Sequence, residues 1–143
     1  MANTLKVEWG PGLQSLLNKL KGRPLAMRQA VAPALMMEGE TIISLAKPLT
    51  PVDHGFLVAS GHVQLPITEG DSVSITFGFG GVAGSGNQGG SNSSDVGYAA
   101  AVHERLDLNH PHGQAKFLEQ PLNERKSSMS DRLAGRIQER LPQ

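Results

Sequence analysis

Cysteine is absent from the 143 residues, which excludes disulfides and every thiolate metal site. Aromatic residues are scarce: four Phe, one Tyr and one Trp cannot build the stacking platform of a single-strand nucleic-acid binder. No run approaches the ~18–20 apolar residues of a membrane span. Nor does a basic stretch followed by an apolar one open the chain, so a cytosolic product is expected and a secretory one is not. Net charge is lacking too, with 13 Lys+Arg against 13 Asp+Glu. At this length the expectation is a single domain over 1–143, able to bury roughly two-thirds of the surface its unfolded chain exposes.

The balance of charge conceals an uneven placement. Residues 48–114 hold six acidic residues (Asp53, Glu69, Asp71, Asp95, Glu104, Asp107) and one basic residue, Arg105. Basic residues flank that segment: Lys6, Lys19, Lys21, Arg23, Arg28 and Lys47 before it, and Lys116, Arg125, Lys126, Arg132, Arg136 and Arg140 after it. Two readings are open. The basic residues can be solvated helix faces flanking an ordinary sheet, or unlike segments can meet between neighbouring subunits, where complementary patches steer association. An acidic middle argues against duplex binding, which calls for a concentrated basic stripe.

Periodicity outlines the elements. Leu5, Val7 and Trp9 alternate with polar residues as a half-buried strand does, and Gly10-Pro11-Gly12 stops it. Leu13, Leu16, Leu17 and Leu20 share one helical face. Pro24 suits the first turn of a longer helix reaching about Lys47, with Met27, Val31, Leu35, Ile42 and Leu45 as its apolar stripe and a bend expected at Pro33. The turn-rich segment 50–55 then offers Asp53 as an N-cap for a brief turn carrying Phe56, Leu57 and Ser60. Val63, Leu65 and Ile67 alternate as one strand and Val73, Ile75, Phe77 and Phe79 as a second, with Glu69-Gly70-Asp71 closing an antiparallel hairpin; Pro66 calls for the first strand to be an edge or for its own nitrogen to face outward. Eight glycines between Gly78 and Gly97 predict a long flexible loop. Tyr98 to His103 reads as a third strand in preference to a helical turn, and Leu122, Met129, Leu133, Ile137 and Leu141 as a closing helix with its arginines on the other side. Pro121 is expected in that helix's first turn or at a kink in it, and Lys116 to Glu119 can pin its start. The fold class is therefore α+β: a small antiparallel sheet with a hairpin and a Gly-rich loop, packed by a long N-terminal helix and a C-terminal helix.

Few motifs carry chemistry. Gly84-Ser85-Gly86-Asn87-Gln88-Gly89 matches a dinucleotide-binding string but lacks the strand before it and the helix after it. His103, Glu104, Asp107, His110 and His112 crowd into ten positions and have metal-ligand chemistry, yet match no helical metal motif. They support one alternative, a small metal-dependent hydrolase using His103, His110 and His112.

Three blocks point elsewhere. Thr50-Pro51-Val52-Asp53-His54-Gly55-Phe56-Leu57-Val58-Ala59-Ser60 resembles the TPvDTGrLraS signature of phage head–tail joining proteins, also called neck or tail-completion proteins. Tyr98-Ala99-Ala100-Ala101-Val102-His103-Glu104 is similar to that family's YAxyVHE segment, and Gly113 to Leu122 to the GqaKFLekpl start of its last helix. The resemblance covers roughly 24–141 and leaves 1–23 as an extension outside it. Two residues depart from the family pattern: His54 stands where Thr is usual, and Phe56 where a basic residue is common.

The resemblance implies a non-enzymatic virion protein without a cofactor, assembled in the host cytoplasm and located at the head–tail junction. It implies a homo-oligomeric ring, sixfold with twelvefold as the alternative, touching portal-side, neck and tail-tube proteins while DNA passes without specific binding. Asp53, Gly55, Leu57, Ser60, Tyr98, His103, Glu104, Lys116, Phe117 and Leu118 are then candidate motif or assembly residues. A blander use is available for Phe56, Leu57, Tyr98, Phe117 and Leu118, as core residues pinning helix to sheet. Glu69, Asp71 and Asp95 are candidates for lining a lumen, where carboxylates repel phosphate, or for the flexible loop.

Overall fold

The computed structural model describes residues 2–6, 18, 24–52, 55–70, 72–80 and 99–141. In chain order the elements are β1 (Ala2–Lys6), α1 (Pro24–Ala46), a 3-10 turn (Lys47–Leu49), α2 (Phe56–Ala59), β2 (His62–Val63), β3 (Ile67–Glu69), β4 (Ser72–Gly78), α3 (Ala99–Glu104), α4 (Glu119–Lys126) and α5 (Met129–Arg140). The fold is α+β, with a small antiparallel sheet and a long helix near its N-terminus. The first predicted strand overlaps β1 at Leu5 and Lys6. Val7, Trp9 and the four leucines after them lie outside the described residues. No helix among the described residues is long and apolar enough to cross a membrane.

β4 is the central strand. Its Phe77 faces Asn3 of β1 on one flank and Val63 of β2 on the other, and its Ser74 faces Lys6 and Ile67. Val73, Ile75, Phe77 and the following Phe79 are buried, as the period-two pattern predicts. The hairpin forms as expected, with Glu69 opposite Ser72.

The preceding edge corrects the sequence reading. Pairing steps from Val63 opposite Phe77 to Ile67 opposite Ser74, four steps along one strand against three along the other. The extra residue is a bulge around Pro66, which has no N–H to give the ladder. One residue of slip turns the side chains after it to the opposite face. Val63 stays against the core, whereas Leu65 is 81% exposed and Ile67 55% exposed, so these three do not share a face.

α1 runs unbroken through Pro33 and packs on both the sheet and the α4–α5 pair. Its buried residues form two adjacent rows: Ala30, Ala34, Glu38, Ile42 and Ala46 in one, Val31, Leu35, Gly39 and Ile43 in the other. Gly39 meets the sheet so closely that a Cβ there would lie 2.7 Å from Ile75 Cδ1 and 3.2 Å from Val63 Cγ1. Leu45, expected in the stripe, is exposed, and Ala46 closes the buried row instead.

One step round the helix from Gly39, Glu38 turns away from the sheet and toward α4 and α5. It is fully buried, and three guanidinium groups converge on its carboxylate. Arg125 Nε donates to Oε1 at 2.8 Å, Arg132 Nη2 to Oε1 at 2.7 Å and Arg136 Nη1 to Oε2 at 2.9 Å. For Arg125, Arg132 and Arg136 this overturns the expectation that the C-terminal arginines occupy a separate outer face, while Arg140 is exposed. It also explains why the closing helix is two helices. Arg132 donates to the Arg125 carbonyl at 2.8 Å and to the Ser128 hydroxyl, satisfying groups that the break at Ser127–Ser128 leaves open. Pro121 sits buried in the first turn of α4, as predicted.

Burial alone would push the Glu38 carboxyl up, but hydrogen bonds and charge from Arg125 and Arg132 hold it down to about 2. The unfolded chain takes up that proton near pH ~4.3. Stability from this group is therefore complete above about pH 5 and lost as pH falls toward 2, on the order of 3 kcal/mol in all. Glu38→Gln is expected to cost about 3–5 kcal/mol in urea unfolding at neutral pH, since it strands three guanidinium groups, and to flatten the acid limb. Gly135→Ala, on the open side of α5 with nothing within 4 Å of the added carbon, is expected to raise stability by about 0.5–1 kcal/mol in the same assay.

Candidate functional site

The three motif blocks meet around a backbone junction. After α1 the chain tightens into the 3-10 turn, and the buried Thr50 ties it down by donating its hydroxyl to the Ala46 carbonyl at 2.9 Å. Gly113 packs directly on this turn at φ +83°. A Cβ there would lie 2.5 Å from Pro51 N and 2.7 Å from Leu49 O, so only glycine fits. The next residue, Gln114, donates its N–H to Leu49 O at 2.8 Å.

α2 follows at Gly55, which stands at the N-cap with a left-handed φ of 81° and makes no side-chain bond. The N-cap role expected of Asp53 therefore belongs to Gly55, and Asp53 and His54 lie outside the described residues. Leu57 is buried and Phe56 is 40% exposed, so of this pair only Leu57 is a core residue. Ser60 links the turn to the sheet. Its hydroxyl donates to Leu57 O at 2.6 Å and accepts from Gly80 N at 2.9 Å.

The second block is helical where a strand was expected. Residues 99–104 read Ala-Ala-Ala-Val-His-Glu, and a run of alanine has the highest helix propensity. His103, near its end, is buried on an edge-to-face contact with Phe117, ring centroids 5.0 Å apart. Phe117 makes a second such contact with Phe79 at 5.1 Å. These three rings connect the end of β4 to α3 and to the third block. Lys116 N donates to His103 O at 2.8 Å, and Lys116 adopts a left-handed φ of 57°, strained for a side-chain-bearing residue. Phe117 and Leu118 are fully buried, as their core use requires. Tyr98, Asp71 and Asp95 lie outside the described residues, and Glu69 is exposed at the end of β3.

The charged groups at this junction are mutually engaged. Glu104 Oε1 lies 2.7 Å from His103 Nδ1, while its other oxygen accepts from Lys116 Nζ, which also reaches Glu119 Oε2 at 3.1 Å. Lys116 and then His103 hold the Glu104 carboxyl below its ordinary value. The two carboxylates in turn hold the Lys116 ammonium above its own, Glu104 first. His103, Glu104 and Glu119 form the metal-capable group among the described residues, and an ammonium already neutralises its carboxylates. His110 and His112 do not join it. They line a separate cleft of about 410 Å³ with Pro51, Val52 and Leu57, in which His110 Nε2 is buried without a hydrogen-bond partner. Asp107 pairs with Arg105 at 2.6 Å on the surface. The histidine trio of the hydrolase alternative is thus dispersed.

Compared with known families, with curated proteins and with solved structures, the chain matches none.

Missing from the sequence reading was the Glu38 cluster. Its signal was an acid closing an apolar run, Leu35-Met36-Met37-Glu38, in the same i, i+4 row as Ala34 and Ile42, together with Arg132 and Arg136 one turn apart. Gly113→Ala is expected to destabilise the fold by about 2–5 kcal/mol, combining left-handed strain with a backbone clash. Gly70→Ala at the hairpin, with φ +55° but open space around it, should cost only about 1–2 kcal/mol. Thermal unfolding of the two variants side by side measures the difference.

Proposed function

We propose that the chain is a structural protein of the tailed-phage neck, forming a ring between the head portal and the tail through which DNA passes. The observation that supports this most is the convergence of the three resembling blocks. Gly113 and Gln114 seat on the Leu49–Pro51 backbone, and Lys116 binds the His103 carbonyl, so three short strings distant in sequence form one packed unit. Unrelated accidental matches have no reason to share a junction. The side chains there pack and pair with one another, which suits a residue set kept for shape.

A ring needs two different surfaces per subunit that complement each other when the rotation closes. Sixfold symmetry is the expected number, with twelvefold the alternative. Native mass spectrometry of the purified full chain over a range of concentrations is the test. A discrete species of six copies is expected, or of twelve on the alternative. A monomer or dimer at every concentration overturns the reading.

A further inference from the structure

We propose that the subunits of this ring are joined by the bulged β2–β3 edge of one copy lying on the exposed stripe of α1 in the next, with Glu69 paired to Arg140. The inference rests on the ring reading and names the contact that reading leaves open.

Each half is visible in the fold. On the donor side, the slip at Pro66 turns Leu65 and Ile67 outward on an edge that pairs with β4 on one flank only among the described residues. Glu69 ends that edge, exposed and without an ion-pair partner among the described residues. Outward apolar residues on a sheet edge are a hazard that folded proteins ordinarily cover. On the acceptor side, Met37 is 43% exposed and Leu45 44% exposed. With Thr41 they stand at spacings of four, which places them on one face of α1. Arg140 lies at the Met37 end of this stripe, its Nη2 3.1 Å from Met37 Sδ, exposed and with no acidic partner among the described residues.

The two halves match in length, charge and placement. Leu65 to Glu69 in extended chain spans about 13 Å. Met37 to Leu45 along a helix spans about 12 Å. The donor ends in a carboxylate. The acceptor ends beside the Arg125–Arg132–Arg136 cluster, where one carboxylate meets three guanidinium groups and leaves an excess of positive charge. Because α1 packs between the sheet and α4–α5, and its Met37 end borders α5, the sheet edge and the Arg140 end belong to different layers. Unlike surfaces on one subunit give the head-to-tail contact that a ring requires.

Glu69→Lys, Arg140→Glu and the double exchange test this in the full chain, with oligomer mass and dissociation constant read at low salt. All of these side chains are exposed, so unfolding curves should match the parent and show that the fold is intact. Each single reversal is expected to weaken assembly at least tenfold and the double exchange to restore most of it. Leu65→Asp, which adds a charge to the apolar part, should prevent assembly at high salt as well. If the parent forms rings and the single reversals leave them unchanged, this contact is wrong while the ring reading stands. The contact is equally wrong if Arg140→Glu alters only salt-dependent binding to DNA, which would assign the basic end to phosphate. A parent that stays monomeric removes both.

Discussion

One buried carboxylate organises the helical half of this protein. Removing a charge from water costs several kcal/mol, and it is tolerated only where partners supply both opposite charge and hydrogen bonds. Glu38 has both from three arginines, two on α5 and one on α4. An apolar stripe would let α5 slide or rotate against α1 with little penalty. Donors aimed at two particular oxygen atoms do not, so the ion cluster sets the register of the pair while Leu133 and Ile137 supply the buried area. The break at Ser127–Ser128 follows from the same geometry, because it lets α4 and α5 bring Arg125 and Arg132 to one carboxylate from two directions. The expectation that terminal basic residues are surface charge fails for this reason: much of the C-terminal positive charge is held inside the chain.

The other half is organised by a proline. A strand without Pro66 would carry Val63, Leu65 and Ile67 to one face and bury all three. The bulge instead spends one residue, keeps Val63 inside and turns the next two apolar side chains out. The bulge adds Leu65 and Ile67 to the exposed apolar surface without emptying the core, which retains Phe77 and Phe79.

Much of the architecture was legible from pattern. The long helix from Pro24, the hairpin at Glu69–Gly70, the period-two burial of β4 and the place of Pro121 all follow from local rules that tertiary packing did not override. Three features were not, each for a physical reason. Periodicity is blind to a one-residue slip, so the outward turn of Leu65 and Ile67 had no local signal beyond Pro66 itself. The short run 99–104 is apolar enough for either a strand or a helix, and alanine propensity decided it. Partner choice is non-local: nothing near Glu38 says that its counter-charges stand some ninety residues later. The junction was half legible. Its blocks stood out as strings, but that Gly113 belongs against Leu49–Pro51 depends on a backbone approach only three dimensions reveal.

These pieces assign different tasks to different layers. The junction of α2, α3 and the 113–118 turn is held together internally: its rings meet edge to face, its lysine is held by two carboxylates, and its glycine packs on backbone. Such a unit carries shape, and altering it costs folding before it costs any contact with a partner. Apolar surface open to another molecule includes the sheet edge at Leu65 and Ile67, the α1 stripe at Met37 and Leu45, and Leu25, Val52, Phe56 and Leu106. In the ring we propose, a rigid interior holds two unlike faces at a constant angle, and that angle sets the number of subunits.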